Sequence, residues 1–128
     1  MPLAAPAIVR AEFPREKFAE ELDRAEQNTN VGTEIWFEND SVRVWGIWLQ
    51  PGERLPFHCH TGTYFWVCVD PSTGQQRYPG GAIDTFEFQN GDVDFIDIAP
   101  GGNVIHDLEN SGDSELRFIA VELLKRSG

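Results

Sequence analysis

The chain has 128 residues, a length that corresponds to one domain. Hydrophobic residues make up 41% of it, and nine Phe and four Trp supply much of the surface that a packed core needs. Ten Lys and Arg against 21 Asp and Glu give a formal net charge of −11. Nucleic acids and anionic membranes both attract basic surfaces, so we expect neither as a partner.

The N-terminal region is predicted to have a different secondary structure from the rest of the chain. Residues 1–12 are predicted to be an extended arm, and Pro14 is suited to the first turn of a short helix at about residues 14–26. The predicted helix carries one apolar stripe, formed by Phe18, Leu22 and Ala25. We therefore expect residues 1–33 to form an arm and a helix outside the main domain.

Two phenylalanines of this region need a surface on which to pack. Phe13 and Phe18 would each lose roughly 1.5–3 kcal/mol if they stayed in water. They can pack either on their own domain or on a second copy of the chain. We expect a homodimer.

From Glu34 onward the sequence consists of short β-prone runs separated by turn residues. The predicted strands cover residues 34–38, 41–50, 55–60, 64–69, 82–89, 92–98, 104–108 and 115–124. Two prolines and three glycines predict a loop at residues 70–81, and Asn90-Gly91 predicts a tight hairpin. About eight short strands indicate a β-sandwich or a small barrel, whose interior can hold one small ligand.

All three histidines of the chain stand where a metal site would need them. His58 and His60 are two residues apart on a predicted strand, so their side chains point to the same face. His106 follows a glycine-rich turn on a distant strand. A His-x-His pair alone is weak evidence, because exposed histidines are common on strands. With His106 added, the sequence predicts a three-nitrogen site that leaves coordination positions open.

The histidines belong to a wider pattern that resembles the two sequence motifs of the cupin superfamily. The matching residues are Gly52, His58-Cys59-His60, Gly91-Asp92, His106 and Asn110. The resemblance covers roughly residues 34–124. It implies an all-β fold, the cupin double-stranded β-helix or jelly-roll barrel, to which this chain would add its short N-terminal helix.

The sequence departs from the cupin pattern at one ligand position. The first motif usually has a glutamate separated from its second histidine by three or four residues, and at those positions this chain has Tyr64 and Phe65. Cupins without that glutamate include three-histidine members, among them thiol dioxygenases and acetylacetone-cleaving enzymes. The resemblance therefore implies a divalent metal ion on His58, His60 and His106, with Fe(II) favoured and Zn, Ni or Mn as alternatives.

The ligand set suggests a class of substrate. Three neutral imidazoles leave a divalent ion its full double charge, which favours an anionic chelating ligand. We expect a metal-dependent enzyme that acts on a small organic molecule, with oxidative cleavage by a non-haem Fe(II) dioxygenase as the leading reaction. The alternatives are a small-molecule-binding module without catalysis and a metal-assisted isomerase or lyase.

Tyr64 is the candidate catalytic residue outside the histidines. Its hydroxyl could orient a substrate if it faces the cavity, and otherwise it is a core aromatic. Cys59 lies between the two histidines and should point to the opposite face, where it would pack rather than bind metal.

Several polar and aromatic residues near the motifs have no assigned orientation. Four of them could line a pocket, namely Arg43, Trp45, Trp48 and Arg54. We expect Asn110 to fix a turn, and Asp107 and Glu109 to be solvated turn residues.

The cysteine content and the N-terminal sequence bear on the cellular location. Two cysteines do not make a disulfide framework, and the first ten residues lack a basic region and contain two prolines. No stretch is long and apolar enough to span a bilayer. We expect a cytoplasmic protein.

Overall fold

The computed structural model describes residues 7–124, so residues 1–6 of the expected arm and the last four residues lie outside it. The strands are β1 (Ala7–Glu12), β2 (Glu34–Glu38), β3 (Val42–Leu49), β4 (Arg54–His60), β5 (Tyr64–Asp70), β6 (Thr73–Arg77), β7 (Ala82–Glu87), β8 (Val93–Ile96), β9 (Val104–Asn110) and β10 (Leu116–Leu123). The helix α1 (Ala19–Arg24) is flanked by 3₁₀ turns at Arg15–Phe18 and Ala25–Gln27.

The strands form two antiparallel five-stranded sheets that enclose one core. The first sheet has the order β1-β7-β6-β9-β4, and the second has the order β2-β3-β10-β5-β8. Neighbours in each sheet are mostly distant in sequence, as in a jelly roll. The predicted all-β barrel with a short N-terminal helix is confirmed. No helix within residues 7–124 has the length and apolarity needed to cross a membrane.

The core follows from the alternation of side chains along the strands. On β10, Leu116, Phe118 and Ala120 are buried and face the interior. They meet aromatic and aliphatic side chains from both sheets, among them Trp45, Ile47, Leu49, Leu55, Phe86, Phe88 and Leu108. Phe88 and Phe118 pack edge to face with ring centroids 4.9 Å apart.

The N-terminal region belongs to the barrel more closely than its sequence indicates. The expected arm is in part an edge strand, because β1 pairs with β7 along its whole length. The helical segment packs on the outer face of the first sheet, where Phe13 and Phe18 contact Phe57 of β4. These phenylalanines therefore pack on their own barrel. They no longer give a reason to expect a dimer.

The predicted loop at residues 70–81 is wrong, because it contains β6. The strand is polar and lacks apolar alternation, so its conformation comes from pairing with β7 and β9 rather than from its own residues. Glycine is required at position 74 of this strand, since a Cβ atom there would lie 2.7 Å from the ring of Phe88.

The predicted hairpin at Asn90-Gly91 is also wrong, although the turn itself is present. Gly91 has a φ of +87°, a conformation that favours glycine. The strands on its two sides belong to different sheets, since β7 pairs with β1 and β6 whereas β8 pairs with β5. The turn therefore carries the chain from one sheet to the other.

A buried ion cluster ties three strands of the first sheet together. Asp107 on β9 is fully buried and accepts hydrogen bonds from Arg54 Nε at 2.6 Å and Arg77 Nη1 at 2.9 Å. Its other oxygen accepts the Arg77 backbone N–H at 2.6 Å. Arg54 also pairs with Glu21, which accepts the Phe57 N–H at 2.6 Å. The expectation that Asp107 is a solvated turn residue is wrong.

We expect the Asp107→Asn change to lower the free energy of unfolding by about 3 kcal/mol, because it leaves two guanidinium groups without their buried counter-charge. Urea unfolding followed by tryptophan fluorescence measures the loss. Asp70→Asn is the matched control, since Asp70 pairs with Arg117 at 3.5 Å in a half-exposed position and should change stability by less than about 1 kcal/mol. Equal losses in the two variants would contradict this account.

Candidate metal centre

Two neighbouring strands of the first sheet bring the three histidines together. His58 and His60 lie on β4, and His106 lies on β9 directly opposite His58 in the antiparallel register. All three face the barrel interior and are buried. The register of β4 against β9 shifts between positions Leu55 and His58 of β4. The third imidazole therefore comes from an adjacent strand, and the expected gathering of the three histidines is present.

The imidazole rings form a compact triangle. Their centroids are 5.0 Å apart for His58 and His60, 4.8 Å for His58 and His106, and 5.1 Å for His60 and His106. The ring planes cross at 71–79°, so the three rings converge edge-on rather than stacking. One nitrogen from each ring lies within 4.8 Å of the others.

The three histidines are neutral, so each can direct a nitrogen lone pair toward the centre of the triangle. Burial lowers the pKa of all three, and it lowers that of His60 to about 3. The rings are therefore neutral at physiological pH. His58 Nδ1 lies 2.8 Å from the Pro56 carbonyl oxygen, which fixes the proton on Nδ1 and leaves the lone pair on Nε2.

The donor set fits a metal ion better than an internal hydrogen bond. His60 Nε2 and His106 Nε2 are 3.2 Å apart, and tetrahedral ligands about 2.0–2.1 Å from zinc would be about 3.3 Å apart. A single proton shared between these two nitrogens leaves the Nε2 lone pair of His58 without a partner, whereas one cation can accept a lone pair from all three rings. Within residues 7–124, the group that could hold a metal is His58, His60 and His106, and it does not include Cys59.

The cavity that all three histidines line has a volume of only about 30 Å³. A neighbouring chamber of about 220 Å³ shares His106 and Tyr64 with it. Its polar lining consists of Tyr64, Gln76, Tyr78, Asp84, Asp94 and His106, and its apolar lining includes Trp66, Phe86 and Phe88. A larger groove of about 760 Å³ runs along the helical segment, but none of the three histidines lines it. The chamber next to His106 is the better place for a substrate.

Comparison with known proteins identifies the fold. No protein-family model and no curated protein matches the sequence. A cupin domain from Bordetella pertussis matches with a TM-score of 0.65 and 20% identity, over 77% of this chain and 97% of that one. A double-stranded β-helix protein from Klebsiella pneumoniae, described as uncharacterized, matches with a TM-score of 0.59 and 19% identity, over 84% and 90%. An RmlC-like cupin family protein from Methanocaldococcus jannaschii matches with a TM-score of 0.58 and 18% identity, over 71% and 77%.

The chain has the cupin fold. The resemblance seen in the sequence is thereby confirmed in three dimensions. At 18–20% identity these structures show the fold alone, so the chemistry of this protein has to be argued from its own residues.

Tyr64 stands where the cupin motif usually has its glutamate, and it is both a core aromatic and a chamber residue. It is buried and stacks on His60 with ring centroids 3.7 Å apart and planes 8° apart. Burial raises its pKa, and the nearby Tyr78 and Asp94 raise it further. The group is therefore a neutral phenol, which holds the His60 ring in place and can donate or accept a hydrogen bond.

Other candidates from the sequence have structural roles. Trp45 is buried and donates its indole N–H to Glu122 at 2.6 Å, and Arg43 pairs with Glu38 and Glu122. Trp48 is exposed, and Arg54 is held in the Asp107 cluster. None of the four lines the chamber. Glu109 pairs with Arg77.

The expectation that Asn110 fixes a turn agrees with its contacts. Asn110 is fully buried, and its side-chain NH₂ donates to the carbonyl oxygens of Leu49 and Ser114. Its side-chain oxygen accepts hydrogen bonds from the Ser72 hydroxyl and the Gly112 N–H. The residue therefore joins three chain segments at one end of the barrel and does not contact the chamber.

Some chamber residues were not predicted from the sequence, because they lie on or next to β6 or are held by β1. Gln76 and Tyr78 lie on or next to β6, within the segment predicted to be a loop. The Tyr78 hydroxyl donates to Gln76 at 3.0 Å, and its ring centroid lies 6.2 Å from that of His106. Asp84 accepts two hydrogen bonds from Arg10 of β1. No sequence motif marks these positions.

We expect the purified protein to bind about one divalent metal ion per chain, and the His106→Ala variant to lose tight binding because two imidazoles chelate far more weakly than three. Elemental analysis of protein purified without an affinity tag measures the occupancy. Cys59→Ser, which alters the residue between two of the ligands, should retain the metal. Full occupancy in His106→Ala would disprove the three-histidine site.

We expect the metal-free protein to lose stability as the pH falls below about 6.5. The buried histidines stay neutral when folded but take up protons when unfolded, so each can contribute up to about 1.4 kcal/mol per pH unit in favour of unfolding. This loss continues down to the lowered folded-state pKa values. Urea unfolding of chelator-treated protein between neutral and mildly acidic pH measures the slope. The His106→Gln variant should show a smaller slope, and an unchanged slope would contradict the assignment.

Proposed function

We propose that this protein is a metal-dependent enzyme that oxidises a small organic molecule at a three-histidine Fe(II) centre. The observation that carries the proposal is the convergence of three neutral, buried imidazoles beside a chamber of about 220 Å³. A divalent iron held by His58, His60 and His106 would supply Lewis acidity and redox chemistry with O₂.

The chamber supports a substrate of limited size that carries an anionic chelating group. The neutral ligand set leaves the double charge of the ion undiminished. The net charge of −11 opposes anions at long range, but salt screens that field within about 8 Å, so the charge of the ion should dominate inside the chamber. A β-dicarbonyl enolate or a thiol acid has the required chemistry.

Neutral polar groups of the chamber can orient the substrate. Gln76 and Tyr78 form a hydrogen-bonded pair on the wall next to His106. Burial and the charge of Asp84 raise the pKa of Tyr78, so its phenol stays protonated at physiological pH. Trp66 and Phe88 provide an apolar floor that limits water in the site.

Tyr64 has two roles in this proposal. Its ring stacks on His60 and restricts the orientation of that imidazole. Its neutral hydroxyl can donate a hydrogen bond to an anionic substrate atom in the chamber, but it cannot act as a base at physiological pH because burial raises its pKa.

The proposal also includes a cytoplasmic location. Cys59 and Cys68 are free and buried. Burial raises the pKa of the Cys68 thiol to about 12, so it is unreactive at physiological pH. Two free thiols and no disulfide within residues 7–124 support a reducing compartment.

The function is tested by a screen of small chelating acids, with O₂ uptake measured on an oxygen electrode. We expect uptake with the Fe(II)-loaded protein and none with the Zn(II)-loaded protein, because zinc has no redox chemistry, while substrate binding persists with both metals. Tyr64→Phe should reduce the rate and leave the metal content unchanged. Glu16→Gln, on the distant groove, should alter neither.

Two other outcomes identify the alternative functions. Tight binding of a ligand without O₂ uptake across the whole panel would favour a binding module. Turnover that is equal with Zn(II) and Fe(II) would favour an isomerase or a lyase. Either result contradicts the proposed oxygenase.

A further inference from the structure

The outer faces of the two sheets differ in how they are covered. The outer face of the first sheet lies beneath the helical segment, where Phe57 and Ile105 pack against Phe13, Phe18 and Leu22. No helix within residues 7–124 covers the outer face of the second sheet. An antiparallel sheet can leave one face in water, but such a face is then normally polar.

The outer face of the second sheet is apolar along a row that crosses all five strands. The row consists of Phe37, Val44, Val121, Phe65 and Phe95, which lie side by side in the strand register. Phe37 and Phe95, at the two ends, are 54% and 51% exposed. The rings of Phe65 and Phe95 are parallel within 11°.

A second apolar row lies beside the first. It consists of Gly46, Ile119, Val67 and Val93 on consecutive strands. The indole of Trp36 lies flat over Gly46, where a Cβ atom would come within 2.2 Å of it. Trp36 is 52% exposed and extends this row to the edge of the sheet. We call the two rows together with Trp36 the apolar face.

The apolar face concentrates exposed hydrophobic surface on one side of the molecule. Eight large hydrophobic side chains are exposed within residues 7–124. Five of them lie on this side, in or beside the apolar face, namely Trp36, Phe37, Trp48, Phe95 and Leu123. The two rows contain no charged residue, but Glu34 lies at the sheet edge as the register partner of Gly46 and accepts the Trp36 indole N–H at 2.9 Å. A continuous patch of this kind marks an interaction site rather than ordinary surface.

We propose that the apolar face is the interface of a homodimer, in which a second copy of the chain packs its own apolar face against it. The shape supports this occupant, because the surface that complements a twisted sheet is another sheet packed about 10 Å away. Twofold symmetry allows one face to serve both partners.

Charge and area are also compatible with a second copy. Two chains that each carry −11 repel at long range, but salt screens that repulsion within about 8 Å, and contact through the two uncharged rows avoids close pairs of like charges. Five strands about 4.8 Å apart and two rows that occupy about 14 Å of strand length give a flat footprint of roughly 330 Å². Trp48 and Leu123 lie in the rows on either side and enlarge this surface toward the about 800 Å² per partner of a specific interface. An anionic membrane would require basic residues, which the face lacks.

The test is the mass of the full-length protein in solution, measured by sedimentation at micromolar concentration. We expect twice the 14.4 kDa of the chain. Val121→Lys places a charge at the centre of the face and should weaken dimerisation by roughly 100-fold or more. Phe95→Ser, at a position already half exposed, should weaken it with less effect on the fold.

The matched control is Val9→Lys, because Val9 is 70% exposed on the edge strand β1 of the other sheet. It should dimerise like the wild type. Circular dichroism and metal content should be unchanged in all three variants. A monomeric wild type, a dimer that both face variants leave intact, or a monomer that binds zwitterionic lipid vesicles would each overturn the proposal.

Discussion

The register between β4 and β9 is the constraint on which the metal centre depends. Side chains alternate along a strand, so a slip of one residue would turn His106 away from His58 and bring Asp107 into the barrel. Asp107 opposes that slip, because Arg54 on β4 and Arg77 on β6 hold its carboxylate on the other face of the sheet. Two consecutive buried residues thus point to opposite faces of the sheet, with His106 in the metal site and Asp107 in the ion cluster. The ion cluster extends to the N-terminal helix through the salt bridge between Arg54 and Glu21.

The histidine site could be predicted because it follows from local periodicity and a third residue of the same kind. Residues two apart on a strand share a face whatever the rest of the fold does. The barrel could be predicted from the spacing of apolar runs and from the cupin-like motifs. The role of Asp107 could not, since a carboxylate beside a ligand is indistinguishable in sequence from a solvated one until its arginine partners are placed by tertiary structure.

The remaining errors share a physical cause, namely that pairing overrides local preference. Residues 73–77 contain no apolar alternation, yet they form β6 because β7 and β9 offer hydrogen-bonding edges on both sides. Asn90-Gly91 makes a tight turn, but whether the flanking strands pair depends on which sheet each one joins. Gln76 and Tyr78 were missed for the same reason, since a chamber wall has no signature when its strand is not recognised.

The histidine cluster is costly to the fold unless something satisfies it. Three desolvated imidazoles share a centre in which one proton, between His60 Nε2 and His106 Nε2, can serve only two of them. An apolar core of the same volume would be more stable, so the cluster makes physical sense as a site formed in advance for a cation. Binding to the folded state alone would then stabilise the barrel in proportion to metal affinity, because the unfolded chain does not hold the three rings together. Metal retention and folding stability should therefore be coupled, and Asp107, which fixes the strand register without touching the metal, should affect both.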